Sequence, residues 1–285
     1  MHLTPIHPDF GMEVTDVDLR QVTSESGYRE LRAAFDEHSL LLFRGQNLTD
    51  DEHLALAQLF GPLEDRESTD ERVLAMVSNV MENGEVSAVD SFHTLNNIAN
   101  QFWHTDSTFL PVPALANILQ ARVVASSGGE TEFVSTRAGL RRLSPALRER
   151  VKHAVLWHKY AHSRSKVTTE LATQEFIGKW EPQAWRAVWT NPVTGEDALY
   201  IASHTYAVDG MDAEEGAALI DELIEAMTTE EAILSHPWQE GDLIIWDERA
   251  TLHRGRPWPY SEPRVLVSVC VSVSDRDGLA GVRPG

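Results

Sequence analysis

A histidine and an aspartate stand two residues apart in the segment His104-Thr105-Asp106. In an extended chain this spacing puts both side chains on one face, where an imidazole and a carboxylate can bind the same metal ion. The signal is weak alone, because composition predicts roughly one such pair by chance, and His7-Pro8-Asp9 is a second copy. The first copy lies between apolar segments and the second lies near the terminus, so we favour the first. A hydrogen-bonded buried pair is the alternative.

A third ligand would come from far along the chain, and His253 is the best candidate because it closely follows an apolar run at 243–246. Two histidines and one carboxylate form the facial triad of non-heme iron(II) oxygenases. Such a site leaves three adjacent positions open for a bidentate cosubstrate and dioxygen, unlike a closed tetrahedral zinc site. Taken alone, His253 could also be a surface or hydrogen-bonded histidine.

Arg264 lies eleven residues after His253, at the start of an apolar run at 265–273. We expect a hairpin turn to return it towards His253. A guanidinium that emerges from a buried strand needs an anionic partner, because its charge cannot be left unpaired there. A dicarboxylate held by bidentate hydrogen bonds is one such partner. A strand-edge arginine paired with an acidic neighbour is the alternative in a chain with 44 Asp and Glu residues.

Composition limits the classes of protein and of partner. The chain has 285 residues, of which 42% are hydrophobic and 24% charged, which is typical of a globular protein with a sizeable core. The formal net charge of −20 disfavours nucleic acid and anionic membranes as partners, so an anionic substrate must meet a local basic pocket. The sequence motifs of P-loop and dinucleotide-binding folds, serine hydrolases and zincins are absent.

Cysteine content and hydropathy predict a cytoplasmic protein without a membrane anchor. The single cysteine, Cys270, lies in an apolar run, which favours a buried, inert thiol over a disulfide. The first nine residues lack the basic start and apolar stretch of a secretory signal. No apolar segment approaches the roughly 18 residues that a membrane helix needs.

Hydrophobic periodicity and turn residues predict the elements that must position these side chains. Helices are expected at 28–38, at 49–60 after a capping box, from 144 with Pro at its first position, and from 212. Strands are expected at 40–43, 73–80, 116–124, 243–246 and 265–273. The acidic stretch 62–100 predicts a lid or binding excursion, with a solvated insertion as the alternative. Without repeats or linkers, residues 1–285 are expected to form one domain with a β core and peripheral helices.

Five blocks of sequence, taken together and in this order, resemble the taurine/2,4-dichlorophenoxyacetate dioxygenase family of iron(II)- and 2-oxoglutarate-dependent oxygenases. The blocks lie at 42–46, 78–80, 100–107, 128–133 and 246–256. The similarity covers most of the chain and is closest to the phenoxyacetate branch. It implies an α+β fold with a double-stranded β-helix (jelly-roll) core and peripheral helices. It also implies that His104, Asp106 and His253 hold iron.

The same resemblance implies roles for residues around the metal. Arg264 would bind the distal carboxylate of 2-oxoglutarate, and Thr131 would add a hydroxyl hydrogen bond to it. Asn100 and Trp103 flank the metal segment and could shape the substrate pocket, although packing explains Trp103 equally well.

Two features of the implied site stay open. Asp247 could orient His253 or cap a turn, and we favour the first role because a metal-bound imidazole usually needs an acceptor for its other nitrogen. Glu248 departs from the Asn that close phenoxyacetate-type relatives often carry, which changes the local charge. The anchor of the substrate carboxylate is open among the basic residues of 158–166 and His204. We prefer Arg164 and His204, with solvated or cross-strand residues as the alternative.

The reaction that the resemblance implies is hydroxylation of the ether-linked carbon of an aryloxyacetate such as 2,4-dichlorophenoxyacetate. A phenol, glyoxylate, succinate and CO2 would be the products. A sulfonate (taurine-like) or alkyl sulfate dioxygenase is the enzymatic alternative, and a metal-binding jelly-roll module without turnover is the non-enzymatic one. The expected partners are a small anionic substrate and dioxygen, and we expect a homo-oligomer.

Overall fold

The computed structural model describes residues 1–64 and 74–285, which fold into short strands and helices. The strands are β1 His2–Pro5, β2 Met12–Thr15, β3 Leu40–Phe43, β4 Ala75–Ser78, β5 Ala114–Val123, β6 Thr131–Ser135, β7 Val155–His158, β8 Gln183–Arg186, β9 Val188–Thr190, β10 Asp197–Leu199, β11 Thr205–Val208, β12 Leu234–His236, β13 Leu243–Asp247, β14 Thr251–Gly255 and β15 Val265–Ser272. The α-helices are α1 Tyr28–His38, α2 Asp50–Phe60, α3 Phe92–Ile98, α4 Thr136–Arg142, α5 Pro145–Lys152, α6 Tyr160–Ser165, α7 Thr169–Ala172, α8 Glu175–Gly178, α9 Ala213–Met227 and α10 Leu279–Val282.

Two sheets build the core. The larger sheet has the strand order β1-β2-β3-β13-β5-β15-β4, and a smaller sheet has the order β12-β6-β14. Neighbouring strands of both sheets are antiparallel except β2 and β3, which are parallel. Phe133 of the smaller sheet packs against Trp246 of the larger one, with ring centroids 5.2 Å apart. The two sheets therefore face each other across a shared apolar cluster.

The continuous apolar run at 40–43 forms the strand β3, which is buried on both faces. Leu40 and Leu42 join the cluster between the sheets, whereas Leu41 and Phe43 join the cluster beneath α1 and α2. Successive side chains of a strand point to opposite faces, so both faces of β3 are buried. Helices α1 and α2 thus cover the outer face of the larger sheet. In the described ranges, none of the helices combines the length and apolarity that a membrane crossing requires.

The predicted helices begin where periodicity and capping residues place them. Helix α1 has the predicted bounds 28–38, and Thr49 and Glu52 form the predicted capping box of α2. Helix α5 begins at Pro145, and the Asp212 carboxylate caps α9. The residue after α2, Gly61, ends that helix in an extended conformation.

The predicted strands are also found, but one connection differs. Of the strand predicted at 73–80, residues 75–78 form β4, and residue 73 lies outside the described residues. The expected hairpin between His253 and Arg264 is wrong, because β14 pairs with β6 in the smaller sheet and β15 pairs with β5 in the larger one. The connecting residues 256–264 pass from one sheet to the other, so Arg264 reaches the same region from the facing sheet.

Candidate active site

Backbone hydrogen bonds bring His104 beside His253. The N–H of His104 donates to the carbonyl of His253 at 2.9 Å, and the N–H of His253 donates back at 2.8 Å. His253 lies in the middle of β14, opposite Phe133 of β6. The two imidazole centroids are consequently only 4.1 Å apart, although the residues are distant in sequence.

Asp106 completes a group of three donors that could hold one metal ion. One nitrogen of each imidazole and one carboxylate oxygen lie within 4.8 Å of one another. The Nε2 atom of His104 is 3.6 Å from Asp106 Oδ1, and the Nε2 atom of His253 is 3.8 Å from Asp106 Oδ2. These separations are too long for hydrogen bonds, and the donor set is the one that a facial iron(II) triad uses.

Burial keeps both imidazoles in the neutral form that a metal ligand needs. It lowers the pKa of His253 to about 3 and lowers the pKa of His104 below its usual value. His104 Nδ1 lies 2.7 Å from the carbonyl oxygen of Phe102. Because a carbonyl only accepts, the proton of His104 is on Nδ1 and the lone pair of Nε2 faces the group. The residues present therefore fit a bound divalent metal.

The two acidic residues before β14 have different roles. The Asp247 carboxylate accepts from the backbone N–H of Arg249 at 2.9 Å and from its Nε at 2.8 Å. It thus caps the turn, and the favoured prediction that it orients His253 is wrong, because Arg249 occupies its carboxylate and Glu248 is the acidic group beside His253. Glu248 is fully buried, and its Oε2 atom accepts from the backbone N–H of Asp106 at 2.9 Å and lies 3.9 Å from His253 Nδ1. Burial, reinforced by Asp106, raises the pKa of Glu248 well above its usual value.

The three donors open into a cavity of about 200 Å³. Its walls come from the facing sheets, from the stretch between β4 and residue 101, and from α6. Apart from the three donors, the lining residues are Ala75, Met76, Val77, Asn96, Asn97, Asn100, Gln101, Ser107, Phe109, Asn117, Leu119, Thr131, Tyr160, Arg164, His204, Trp246, Gly255, Arg256, Trp258, Arg264, Leu266 and Ser268.

Arg264 lines this cavity with a buried guanidinium. Its Nη2 donates to the carbonyl of Gly129 at 2.8 Å, and its guanidinium carbon lies 4.8 Å from the centroid of the Trp258 ring. Among the described residues, no carboxylate is at salt-bridge distance from Arg264, and burial lowers its pKa to about 10. Gly129 has a φ of +72°, and a Cβ there would lie 2.9 Å from Arg264 Nε. A glycine at this turn therefore lets the backbone approach a cation that needs an anionic ligand.

Thr131 lies at the start of β6, on the wall of the same cavity. Its hydroxyl oxygen accepts a hydrogen bond from Nε1 of Trp238 at 2.9 Å. Because an indole N–H only donates, the Thr131 hydroxyl keeps its own proton for another acceptor.

Arg164 and His204 form a second basic group in the wall. The Nη1 atom of Arg164 lies 3.4 Å from His204 Nε2, and its guanidinium carbon lies 4.0 Å from the centroid of the Tyr160 ring. Its Nε donates to Asn96 Oδ1 at 3.2 Å. Burial, followed by the charge of Arg164, lowers the pKa of His204 well below its usual value. The His204 ring centroid is 6.2 Å from that of His104, which places this group beside the metal donors.

Other predicted residues are placed in different ways. Asn100 lines the cavity. Trp103 does not belong to the lining; it packs in an apolar cluster, with the guanidinium carbon of Arg254 4.4 Å from its ring centroid. Within the stretch 158–166, the lining residues are Tyr160 and Arg164.

Sequence reasoning missed several residues of this cavity. The rings of Phe109 and Tyr160 pack at a tilt of 36° with their centroids 4.3 Å apart, beside His204, and the Trp258 ring packs against the guanidinium of Arg264. Asn117 donates to Asp106 Oδ2 at 2.7 Å. The available signal for Asn117 was a polar residue in the middle of the otherwise apolar start of β5.

Comparison with known proteins places the chain in one family. Residues 2–270 match the family described as taurine catabolism dioxygenase TauD, TfdA family. The alpha-ketoglutarate-dependent 2,4-dichlorophenoxyacetate dioxygenase of Cupriavidus pinatubonensis (strain JMP 134 / LMG 1197) is 37% identical, over 92% of this chain and 94% of that protein. The (S)-phenoxypropionate/alpha-ketoglutarate-dioxygenase of Sphingobium herbicidovorans is 33% identical, over 93% and 92% of the two chains.

A solved structure supports the same placement. The crystal structure of AAD-2 in complex with Mn(II) and N-oxalylglycine superposes with a TM-score of 0.89 at 33% identity, over 96% of this chain and 98% of that one. The chain belongs to the TauD, TfdA family of dioxygenases. The expected α+β fold with a jelly-roll core and peripheral helices is thereby confirmed, as is the predicted family resemblance.

Proposed function

We propose that this chain is an Fe(II)- and 2-oxoglutarate-dependent dioxygenase that hydroxylates the ether-linked carbon of an aryloxyacetate. The observation that carries the proposal is one cavity in which the His104, Asp106 and His253 donors meet two separate basic groups. One group is Arg264, and the other is Arg164 with His204. Two anions can therefore bind in the same cavity beside the metal site, which a cosubstrate and a carboxylate substrate both require.

The side chains around the cavity have the chemical types that iron and 2-oxoglutarate need. His104, Asp106 and His253 would hold the ion, and the bound ion would supply oxidation by dioxygen coupled to decarboxylation of 2-oxoglutarate. Arg264 would pair with the distal carboxylate, since its buried charge needs an anion, and the Thr131 hydroxyl would donate to the same carboxylate. The relative AAD-2 contains Mn(II) and N-oxalylglycine, a dicarboxylate with the shape of 2-oxoglutarate.

The second basic group fits the substrate. Arg164 and the neutral His204 would hold the substrate carboxylate, and Phe109 and Tyr160 would contact its ring. Asn100 would contribute to the same pocket. Hydroxylation of the carbon between the ether oxygen and the carboxylate gives a hemiacetal. In its collapse the hydroxyl oxygen forms the C=O bond of glyoxylate, the bond from that carbon to the aryl oxygen breaks, and the hydroxyl proton is transferred to the aryl oxygen to give the phenol. The relatives named for 2,4-dichlorophenoxyacetate and (S)-phenoxypropionate support this substrate class.

Further proposals concern the domain organisation, the oligomeric state and the cellular location. We propose one domain over 1–285, with the stretch 62–100 as a lid or binding excursion, because its residues 75–77, 96, 97 and 100 line the cavity. Residues 65–73 lie outside the described residues. A homo-oligomer is supported by Met81 and Val89, which are exposed apolar residues of this stretch. The single buried cysteine agrees with a reducing cytoplasm. Light scattering and cell fractionation test these two points.

A substrate panel tests the reaction. The protein is incubated anaerobically with Fe(II), 2-oxoglutarate and one of several aryloxyalkanoates or sulfonates, then exposed to air and assayed for succinate and for a phenol. Equal amounts of succinate and phenol, dependent on iron and 2-oxoglutarate, are expected. Sulfite from sulfonates would favour the taurine-like alternative, and metal binding without succinate would favour the non-enzymatic module.

Two variants connect this reaction to the site. The variant His104→Ala is expected to stay folded and to lose iron-dependent turnover, because one of three ligands is gone. Arg164→Met is expected to raise the KM for the aryloxyacetate and to leave the KM for the cosubstrate unchanged. Parental activity of His104→Ala would contradict the ligand assignment.

A further inference from the structure

The polar side chain of Asn117 contacts Asp106, the candidate carboxylate ligand. It lies on β5, and its Nδ2 donates to Asp106 Oδ2 at 2.7 Å. The side chain is buried, as are the apolar residues Ala116 and Ile118 on either side of it. A buried amide in such a strand is costly unless it is hydrogen-bonded, so its bond to Asp106 is a structural requirement as well as a contact.

The orientation of the Asn117 amide is set by a second hydrogen bond. The hydroxyl of Ser268 on β15 donates to Asn117 Oδ1 at 2.8 Å. Because this bond occupies the carbonyl side of the amide, the NH2 side faces Asp106; the reversed amide would place two acceptors together at Asp106. Cys270 is the direct cross-strand partner of Asn117, and its thiol donates to the same Oδ2 atom at 3.9 Å. The expected buried thiol is therefore part of this arrangement.

We propose that Asn117 is a positioning residue that fixes the orientation of Asp106 toward the metal. A carboxylate can ligate through one oxygen or chelate through two, and a chelating Asp106 would fill a position that the cosubstrate or dioxygen needs. Both carboxylate oxygens face the imidazoles, since Oδ1 lies 3.6 Å from His104 Nε2 and Oδ2 lies 3.8 Å from His253 Nε2. The Asn117 N–H occupies a lone pair of Oδ2, so it favours ligation through Oδ1 and disfavours chelation. The inference rests on the proposed function, since it takes Asp106 as a metal ligand. Hydrogen-bonded partners of metal ligands commonly set ligand orientation and metal affinity.

Cobalt(II) is a suitable probe because its visible absorption reports the number and geometry of its ligands. The protein without 2-oxoglutarate is titrated with Co(II), and the variant Asn117→Leu is compared with the parent. Leu has nearly the shape of Asn and fits an apolar strand, so it removes the hydrogen bond with little change in packing. We expect roughly 10- to 100-fold weaker Co(II) binding and an altered absorption spectrum.

Two further variants make the test specific. Ser268→Ala keeps the Asn117 amide and its bond to Asp106 but removes the bond that holds the carbonyl side of the amide. The restraint on Asp106 is then weaker, so a smaller loss of affinity and a shifted spectrum are expected. Asn83→Ala makes a similar change in an exposed turn, where Asn83 bonds to Glu85, and is expected to bind Co(II) like the parent. If Asn117→Leu does not fold, Ser268→Ala decides the question.

The outcomes separate this inference from the proposed function. Parental affinity and spectrum in a folded Asn117→Leu, or in Ser268→Ala when Asn117→Leu is unfolded, would overturn the positioning role. Parental Co(II) binding by His104→Ala would instead show that the metal does not bind at this site, and the proposed function would fail first. Weaker binding by Asn117→Leu with parental binding by Asn83→Ala supports the inference.

Discussion

At the scale of single residues, Arg264 is a buried cation of the cavity wall, and no carboxylate among the described residues lies at salt-bridge distance from it. It is buried, it donates to one carbonyl and it lies against an indole ring. None of these contacts neutralises its charge, which is why burial lowers its pKa to about 10. Because a buried guanidinium needs an anionic partner, we expect Arg264 to bind a carboxylate of a dicarboxylate cosubstrate.

The variant Arg264→Gln should weaken the binding of 2-oxoglutarate. A hydrogen bond to a charged group contributes about 1.5 to 3 kcal/mol, so the expected loss is roughly 10- to 150-fold. The quantity to measure is the Kd for this cosubstrate with the metal-loaded protein. The exposed Arg20, which pairs with Asp18, provides a control, and Arg20→Gln should leave this Kd unchanged. A parental Kd in Arg264→Gln would reject the assignment.

Residue types and spacing are enough to find some side chains of the cavity and not others. His104 and Asp106 are two residues apart in the sequence, and Arg264 follows His253 by eleven residues. Such short spacings are part of the family's sequence pattern, so these residues could be found from the sequence. Asn117 carries no such pattern, because its partner Ser268 is far along the chain and the two meet only through the pairing of β5 with β15. Its role depends on three-dimensional register.

At the scale of elements, local signals predict a helix start better than a strand partner. The capping box at Thr49 and Glu52 joins residues that are three positions apart, so the sequence contains the whole interaction. The pairing of β14 depends on β6, which is distant in the chain, and nothing local distinguishes it from a hairpin with β15. The hairpin prediction failed for this reason, whereas the family resemblance, which includes tertiary information, predicted the shared cavity.

The turn between β13 and β14 is held by a buried charge network. Arg249 donates to the Asp36 carboxylate of α1 at 2.8 Å and to both oxygens of Asp247 at 2.8 Å. The variant Arg249→Ala removes one of two arginines from each carboxylate, since Asp36 also pairs with Arg32 at 2.7 Å and Asp247 with Arg137 at 3.3 Å. The free energy of unfolding is expected to fall by about 3 kcal/mol, the lower end of the loss for a broken buried ion pair. Urea denaturation measures this loss.

The control for this prediction is the same change in an exposed ion pair. Arg20 and Asp18 are 48% and 38% exposed, against 2% and 3% for Arg249 and Asp36. Because water screens exposed pairs, Arg20→Ala should lose far less stability. Equal losses in the two variants would mean that burial of the Arg249 network is not the cause.

Helix α3 connects the excursion to the proposed substrate anchor. Asn96 accepts from Arg164 Nε at 3.2 Å, and its neighbour Asn97 donates instead to the carbonyl of Ser78 at 2.8 Å. In Asn96→Ala the guanidinium loses one bond that orients it, so the KM for the substrate should rise about 2- to 13-fold. The KM for the cosubstrate should not change. Steady-state kinetics of Asn96→Ala and Asn97→Ala distinguish an effect on Arg164 from a general effect on α3; equal increases in KM would contradict the specific role.

At the scale of the whole molecule, the net charge and the cavity have opposite signs. The chain carries a formal charge of −20, yet Arg164, Arg256 and Arg264 all line one cavity. The long-range field of the molecule disfavours anions, and the local cations favour them over distances shorter than about 10 Å at ordinary ionic strength. Selectivity for small dianions or carboxylates over polyanions such as nucleic acid follows from this combination.

Buried neutral histidines should make the stability of the molecule dependent on pH. Burial lowers the pKa of His158 to about 3, against 6.5 for an ordinary histidine. Between these values the unfolded chain binds the proton and the folded chain does not, so the free energy of unfolding falls as the pH drops below 6.5. At pH 5.0 this single residue should cost about 2 kcal/mol relative to pH 7.5. The variant His158→Gln lacks the titrating group, so the difference in stability between parent and variant should decrease by that amount. Urea denaturation of both proteins in EDTA at the two pH values measures this double difference, and an unchanged difference would show that His158 is not buried in its neutral form.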